Sequence, residues 1–386
     1  MTTIKNDSRG PLVSFLQLTL KNLNLYLGDI DGIFGSNTLR AVRSFQANNS
    51  LVPDGIVGVS TWNSLLRYME VPTTIPYTYD ILNLNISSIL SKYSFVSSGS
   101  IGDSVMDKDI PYIKLGSGPK QLLYVAGTHA NEWICCVLLM KFVEEYAKAY
   151  ISSGKIFDRF AKDIFDTATI YIVPMLNPDG IDLVTGVLDK NSQEYLNARK
   201  IALDFPNIRF PDGWKSNING IDLNLQFPAE WEQAREIKFA QGYTTYAPRD
   251  FVGNFPLEAP EAIALYDFTI NHNFKIMLTF HSQGEVIFWK FLDYNPPLAL
   301  EIGQEFEALS GYLLQDTPYA SSFAGFKDWF IQTYNLPGYT IEVGVGTNPL
   351  PISQFDTIYE DNIGILVTAP FLIWLKMVPR LKSRNL

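Results

Sequence analysis

Hydrophobic residues in the first 70 positions repeat with the spacing of an α-helix. Two segments place mostly apolar side chains on one helical face, at Leu12, Phe15, Leu16 and Leu20 and again at Leu39, Val42, Phe45 and Gln46. The turn Asp-Gly-Ile-Phe-Gly at 31–35 recurs as Asp-Gly-Ile-Val-Gly at 54–58, each with a threonine three residues later. Asp and Gly favour turns, and a serine shortly before each following segment favours a helix start. The pattern predicts a three-helix bundle.

A different pattern begins after residue 79. Apolar runs at 122–126, 169–173, 276–280 and 340–343 are typical of buried strands, and amphipathic segments at 133–150, 260–271 and 298–313 are typical of helices. Alternation of this kind predicts an α/β domain with a mixed, mainly parallel sheet and helices on both faces. Functional residues are then expected just beyond the ends of strands.

The segment 68–79 separates these two regions. It holds two prolines among threonines and disfavours helix, which predicts a semi-rigid linker. We therefore expect a helical bundle at 1–67, a linker at 68–79 and a larger domain at 80–386.

Composition excludes several classes of protein. The 386 residues carry 40 acidic and 30 basic side chains, a net charge of −10, so nucleic acid is not an expected partner. The apolar stretch 363–375 is shorter than the roughly 20 residues of a membrane helix, so no membrane span is expected. The N-terminus lacks a secretory signal pattern, which favours synthesis in the cytoplasm. The adjacent Cys135 and Cys136 lie in an apolar run and are interpreted as packing residues.

Two of the three histidines point to a metal site. His129 follows the predicted strand 122–126, Glu132 comes three residues later, and His281 directly follows the strand 276–280. Two imidazoles and one carboxylate leave a fourth position open on zinc, which is typical of a catalytic site. His-x-x-Glu alone is a weak motif, and its placement after a strand strengthens it. His272, in a polar segment, is interpreted as a surface loop residue.

From 80 onwards the chain resembles the zinc carboxypeptidase family. The matching segments are Gly-Thr-His-Ala-Asn-Glu at 127–132, Pro-Met-Leu-Asn-Pro-Asp-Gly at 174–180, Gly-Ile-Asp-Leu-Asn at 220–224, Phe-His-Ser-Gln-Gly at 280–284 and Thr-Ile-Glu-Val-Gly at 340–344. The resemblance implies one zinc ion held by His129, Glu132 and His281. It also implies that Glu342 is the catalytic base; the alternative is a carboxylate paired with a basic group in the core.

The same resemblance implies further site residues. Lys215 stands where digestive members carry an arginine that stabilises the oxyanion, although it could equally be a solvated lysine. Those members hold the terminal carboxylate of the substrate with an Asn-Arg pair and a tyrosine. Asn224 is retained here, but Leu225 replaces the arginine, and alignment from Asp328-Trp329 puts Ile331 at the position of the tyrosine. Strict trimming of C-terminal residues is therefore not expected.

Two further resemblances point to the bacterial cell wall. Residues 9–66 are similar to the peptidoglycan-binding domain of wall hydrolases, although a bundle that only packs on the rest of the chain is the alternative. Segments 214–217, 226–232 and 327–332 resemble γ-D-glutamyl-L-diamino acid endopeptidases, most of which have arginine at position 225. Stem peptides are rich in carboxylates, so Arg249 is a candidate for binding substrate and Lys327 is a second one; either could simply be solvated.

These resemblances together imply a zinc metallopeptidase that cuts peptidoglycan stem peptides, at the γ-D-glutamyl bond to the diamino acid. An inactive peptidase fold that binds the wall and a zinc amidohydrolase acting on a non-peptide amide are the alternatives. Without an export signal, the enzyme would reach the wall in a spore compartment, on lysis or during recycling of fragments. The residues do not decide the oligomeric state.

Overall fold

The computed structural model describes residues 1–372. Three helices form the N-terminal bundle, as predicted: α1 at Pro11–Asn22, α2 at Ser36–Asn48 and α3 at Val59–Leu65. Pro11 opens α1, where its missing N–H costs nothing, and glycines precede all three helices. The apolar faces meet in a core that includes Phe15, Phe45 and Trp62.

The sequence repeat of the bundle is a repeat of hydrogen bonds. Gln46 Nε2 lies 3.0 Å from Asp54 Oδ1 and 3.2 Å from Thr61 Oγ1, while Gln46 Oε1 accepts from the Gly55 N–H at 2.8 Å. In the first copy Gln17 makes the same contacts with Asp31, Gly32 and Thr38, at 2.7, 3.0 and 3.1 Å. A buried glutamine on one helix therefore positions the turn that leads into the next helix.

The segment predicted as a linker packs against both regions. Its irregular part runs from 69 to 78, and Met69, Val71 and Tyr77 are buried. The Val71 N–H donates to Glu144 Oε1 at 3.1 Å, which ties the segment to a helix of the larger domain. One apolar cluster runs from the bundle into the larger domain. The expected boundaries at 67, 79 and 386 stay a prediction, and the last of them lies outside the described residues.

The larger domain is built on an eight-stranded sheet. Its strands are β1 Ser97–Asp103, β2 Asp109–Leu115, β3 Lys120–Ala126, β6 Ala168–Val173, β7 Phe274–His281, β8 Val286–Phe288, β9 Leu313–Gln315 and β10 Gly338–Glu342. Across the sheet they lie in the order β1-β2-β6-β3-β7-β10-β8-β9. The four predicted strands are the central ones, β6, β3, β7 and β10, and each runs parallel to its neighbours among them. The predicted mixed, mainly parallel sheet is confirmed. Strands β4 Lys155–Ile156 and β5 Arg159–Phe160 form a separate hairpin.

Helices cover both faces of this sheet. They are α4 Tyr79–Lys92, α5 Ile134–Ile151, α6 Ala161–Thr167, α7 Pro178–Val184, α8 Gln193–Leu203, α9 Trp231–Ala240, α10 Pro260–Ile270, α11 Ala299–Ser310, α12 Phe326–Tyr334 and α13 Phe355–Leu372. Successive residues of β3 enter different clusters: Leu122 packs with α5 and α13, whereas Leu123 packs with α10 and α12. Each face of the sheet therefore has its own core.

The structure bears on two expectations from the sequence, the lack of a membrane span and the packing role of the cysteines. No helix within residues 1–372 is long and apolar enough to cross a membrane. Of the apolar stretch 363–375, the part up to Leu372 belongs to α13, and the rest lies outside the described residues. Cys135 and Cys136 are buried free thiols in α5, in agreement with a packing role.

Candidate active site

Three candidate ligands meet at one edge of the sheet. His129 lies in the loop after β3, Glu132 ends a short 3₁₀ turn that starts at Ala130, and His281 is the last residue of β7. Because β3 and β7 are parallel neighbours, their carboxyl ends reach the same edge. Glu132 Oε1 lies 3.0 Å from His129 Nδ1, and Glu132 Oε2 lies 3.0 Å from His281 Nδ1. The three ligand atoms lie within 4.8 Å of one another.

The chemistry and charge of this cluster fit a zinc ion. Two imidazole nitrogens and one carboxylate oxygen are the ligand types of catalytic zinc sites. Burial alone would raise the pKa of Glu132, but nearby His129 and Lys215 hold the pKa well below its usual value, so the group is a carboxylate. Burial lowers the pKa of His129, yet the Glu132 and Asp222 carboxylates outweigh it and raise the pKa to about 9. The carboxylates around the cluster thus favour a positively charged group or ion there.

Asp222 supports the cluster from outside, and the sequence analysis assigned it no role. Its Oδ1 lies 3.2 Å from His129 Nε2, and its Oδ2 accepts from the Asp250 N–H at 3.0 Å. A carboxylate on the far nitrogen of a metal-binding imidazole fixes the orientation and tautomer of the ring. Burial opposes ionisation, but contact with His129 keeps the pKa of Asp222 below its usual value. The sequence feature that could have indicated this role is an acidic residue inside the 220–224 motif.

Glu342 lies beside the cluster on the adjacent strand. It is the last residue of β10, and its Cα pairs with that of His281 across the parallel strands. The side chain is only partly buried and lines both pockets of the cleft described below. Burial and the charge of Glu132 raise the pKa of Glu342 to about 8, against the opposing effect of Lys215. A carboxyl group in this setting takes up and releases protons near neutral pH.

Lys215 brings a positive charge to the same point. Its Nζ lies 2.7 Å from Glu132 Oε1, and its side chain is 17% exposed. Burial would lower the pKa of Lys215, but Glu132 more than offsets this and the pKa is raised, so the ammonium stays charged. The sequence alternative of an ordinary solvated lysine does not describe this contact.

The cleft has two pockets that meet beside the cluster. The outer pocket, of about 660 Å³, is lined by residues that include Asn131, Arg209, Ser282, Gln283 and Asn348. The inner pocket, of about 170 Å³, is lined by residues that include Asn224, Leu225, Lys238, Asp250, Lys327 and Asp328. Lys215, Arg249, Phe288 and Glu342 line both. The predicted substrate residues Asn224 and Arg249 therefore do lie on the cleft.

One position inferred from the alignment does not lie on the cleft. Ile331, placed at the substrate-binding tyrosine, is completely buried on α12 and packs in the core with neighbouring aromatic residues, so it cannot contact substrate. A tyrosine occurs instead at Tyr319, which is 66% exposed and lies between Thr317 and Ser321, two residues of the inner pocket wall. His272 lies in a bend remote from the cluster, where its Nδ1 is 2.7 Å from the Phe268 carbonyl oxygen.

Similarity to known proteins shows the family of this chain. The model of the zinc carboxypeptidase family matches residues 86–364, well over half of the chain. The chain belongs to the zinc carboxypeptidase family. It is a zinc metallopeptidase, and residues 9–65 match the model of a peptidoglycan binding domain.

Curated relatives of this chain include two bacterial proteins. It is 42% identical to γ-D-glutamyl-L-diamino acid endopeptidase 1 of Lysinibacillus sphaericus over 296 residues, which cover 77% of this chain and 72% of the relative. It is 38% identical to the uncharacterized protein YqgT of Bacillus subtilis over 299 residues, covering 76% of this chain and 77% of the relative.

Solved structures agree on the fold. Thrombin activatable fibrinolysis inhibitor superposes with a TM-score of 0.58 at 18% identity, covering 85% of this chain and 79% of the other. Carboxypeptidase A from Helicoverpa armigera superposes with a TM-score of 0.55 at 18% identity, covering 79% and 75%. At these identities the likeness establishes the carboxypeptidase fold alone.

Proposed function

We propose that this enzyme hydrolyses the amide bond between γ-D-glutamate and the diamino acid in peptidoglycan stem peptides. The observation that carries the proposal is the His129–Glu132–His281 cluster at the junction of two pockets, with Glu342 and Lys215 beside it. The peptidoglycan-binding match at 9–65 and the 42% identity to an endopeptidase named for this bond support the choice of substrate.

The proposed chemistry divides among the residues of the cleft. His129, Glu132 and His281 would hold the zinc ion, which would supply Lewis acidity to polarise a carbonyl group and to make water easier to deprotonate. Glu342 accepts the proton of the attacking water and later delivers it to the leaving nitrogen. Its side chain lines both pockets beside the cluster. Lys215 stabilises the negative charge that develops on the carbonyl oxygen.

Binding of the stem peptide falls to the polar residues on the pocket walls. Arg249 lines both pockets, so its guanidinium group is available to substrate carboxylates on either side of the scissile bond. Asn224, on the inner pocket, offers an amide group. The N-terminal bundle holds the enzyme on peptidoglycan, and the cell wall is the proposed place of action.

Digestion of purified muropeptides tests the proposal directly. The zinc-loaded full-length enzyme is expected to yield one product that ends in the free γ-carboxyl of D-glutamate and one that begins with the free amine of the diamino acid. Mass spectrometry identifies both products, and enzyme treated with a chelator is the control. With tetrapeptide stems, release of only the residue that follows the diamino acid, or cleavage confined to non-peptide amides, would contradict the proposal.

A further inference from the structure

Apart from the groups of the metal cluster and those beside it, basic side chains outnumber carboxylates on the wall of the inner pocket by three to two. Lys238, Arg249 and Lys327 are the basic residues there. Two carboxylates accompany them: Asp250 pairs with both Lys238 and Arg249, and Asp328 Oδ1 lies 2.6 Å from Lys327 Nζ. The other charged groups of this pocket, Asp222, Glu342, Lys215 and His129, belong to the metal side. By these pairings Lys238 and Arg249 share one carboxylate, whereas Lys327 is paired with a carboxylate of its own.

Lys327 is the basic residue that is held most firmly. Its side chain is 5% exposed, and Nζ donates to the Lys290 carbonyl oxygen at 2.8 Å and to Asp328. Among residues 1–372 these two acceptors are its only hydrogen-bond partners, so one N–H of the ammonium is available to a ligand. Lys327 is also in the first turn of α12, where the helix dipole adds partial positive charge. A buried ammonium of this kind binds an anion more strongly than an exposed lysine does.

This lysine lies close to the position where arginine is absent. The Phe326 N–H donates to Asn224 Oδ1 at 3.3 Å, and the Phe227 N–H donates to the Ala324 carbonyl oxygen at 3.0 Å. These bonds join the segment that carries Asn224 and Leu225 to the start of α12. Leu225 provides no hydrogen-bond donor, so the remaining N–H of Lys327 on the adjoining segment is in position to provide one.

We propose that Lys327 is a specificity-determining residue that binds a carboxylate of the diamino acid in the inner pocket. The proposal rests on the proposed function. The diamino acid of a stem peptide offers a carboxylate at its α-carbon and, when it is a dicarboxylic acid, a second one at the end of its side chain. The chemistry of recognition is the same for both.

A cycle of enzyme and substrate changes tests this contact. The substrates are the tripeptide L-Ala-γ-D-Glu-meso-diaminopimelate and two carboxamides of it, one at the α-carboxyl and one at the side-chain carboxyl of the diamino acid. The zinc-loaded enzymes are wild type, Lys327→Met, Lys327→Arg and, as a matched control, Lys162→Met, which removes a lysine from the exposed surface of α6. The measurement is kcat/KM for cleavage of the γ-glutamyl bond, with a thermal melt of each variant.

Lys327→Met is expected to lower kcat/KM for the tripeptide by about tenfold or more, because a charge-assisted hydrogen bond is lost. Lys327→Arg should recover part of this loss, and Lys162→Met should match wild type. Amidation of the carboxylate that Lys327 binds should lower wild-type kcat/KM by a similar factor and remove the effect of Lys327→Met. The carboxamide that behaves in this way identifies which carboxylate is bound.

Equal losses on all three substrates would show that Lys327 only stabilises the fold and would overturn the inference while the proposed function stands. If wild type cleaves no γ-glutamyl bond in any of them, the proposed function fails and this inference fails with it. Should Lys327→Met not fold, Lys327→Arg takes its place, and a change in its preference between the acid and one carboxamide supports the contact. Equal wild-type rates on all three substrates exclude a bound carboxylate and overturn the inference.

Discussion

The N-terminal bundle and the active site both bury polar side chains, but they satisfy them over different distances along the chain. Gln46 finds its partners within 15 residues and Gln17 within 21. At the cleft, Glu132 meets Lys215 83 residues away and His281 149 residues away, and His129 meets Asp222 93 residues away. The bundle network is local, whereas the site needs the whole larger domain to assemble it.

The two networks also differ in charge. In the bundle, a neutral amide is surrounded by acceptors and donors that fix one turn geometry. At the cleft, buried ionisable groups lie close enough for their charges to shift one another's pKa, so the pKa of Glu342 rises to about 8 and that of Glu132 falls. Satisfied amides stabilise a single conformation, while buried charges held close together are ready to exchange protons. Substitutions should therefore change stability in the first region and chemistry in the second.

The largest expected effect is the loss of turnover in Glu342→Gln. The amide keeps the shape of the side chain but accepts no proton, so kcat on muropeptides should fall by about 10² to 10⁴-fold. The zinc content should stay at one ion per chain, because the three ligands are untouched. Rapid-quench or steady-state kinetics and metal analysis check both points. Unchanged turnover would remove Glu342 from the mechanism.

Glu261, behind the cleft, should make stability depend on pH. This buried residue accepts from Asn217 Nδ2 at 3.1 Å, two residues after Lys215, and from the Val105 N–H at 3.2 Å. Burial raises the pKa of Glu261 to about 7 from an ordinary value near 4.5. The folded protein thus binds the proton more tightly. Its stabilising contribution is complete below about pH 4.5 and is lost as the pH rises through 7.

Urea unfolding of wild type and Glu261→Gln at pH 5 and pH 8 measures this contribution. Between pH 5 and pH 8, the free energy of unfolding of wild type should fall by up to about 3 kcal/mol more than that of the variant. The variant serves as the control for all other titrating groups, including Glu342. An identical loss in both proteins would mean that Glu261 is not protonated in the fold at pH 5.

Asp222→Asn tests the support of the metal cluster. Without the carboxylate on His129 Nε2, zinc affinity should fall by about 10 to 100-fold. Competition with a chelator measures it, and Asp204→Asn, an exposed substitution, is the matched control. Unaltered affinity would show that the contact is not needed to orient the ring.

The smallest effect is expected in the bundle. Gln46→Met leaves the Gly55 N–H and Thr61 without their partner and should lower the free energy of unfolding by about 2 kcal/mol. Gln17→Met should lower it by a similar amount, because its contacts match. Cleavage of a soluble tripeptide should not change in either variant. A loss of turnover without a loss of stability would contradict the division between the two regions.

Much of the site could be predicted from the sequence because its residues stand at strand ends. A buried apolar run followed by His129 or His281 is a local signal, and a parallel sheet brings such ends together. Asp222 does not follow a buried apolar run of this kind, and its role depends on a contact with His129. Ile331 was misplaced because distance along an alignment says nothing about which face of α12 meets the core. The predicted linker also proved to be packed, since burial depends on what lies beside it.

The sequence by itself determined the repeated turns of the bundle, the four central strands and the side chains of the candidate zinc site. These follow from hydrophobic periodicity and from residue chemistry, which act over a few neighbouring positions. Only the tertiary structure decided the two pockets, the charge on the inner pocket wall and the raised pKa values of Glu342 and Glu261. Each of these is set by the burial and charge of groups far apart in the chain, which the fold alone brings into contact.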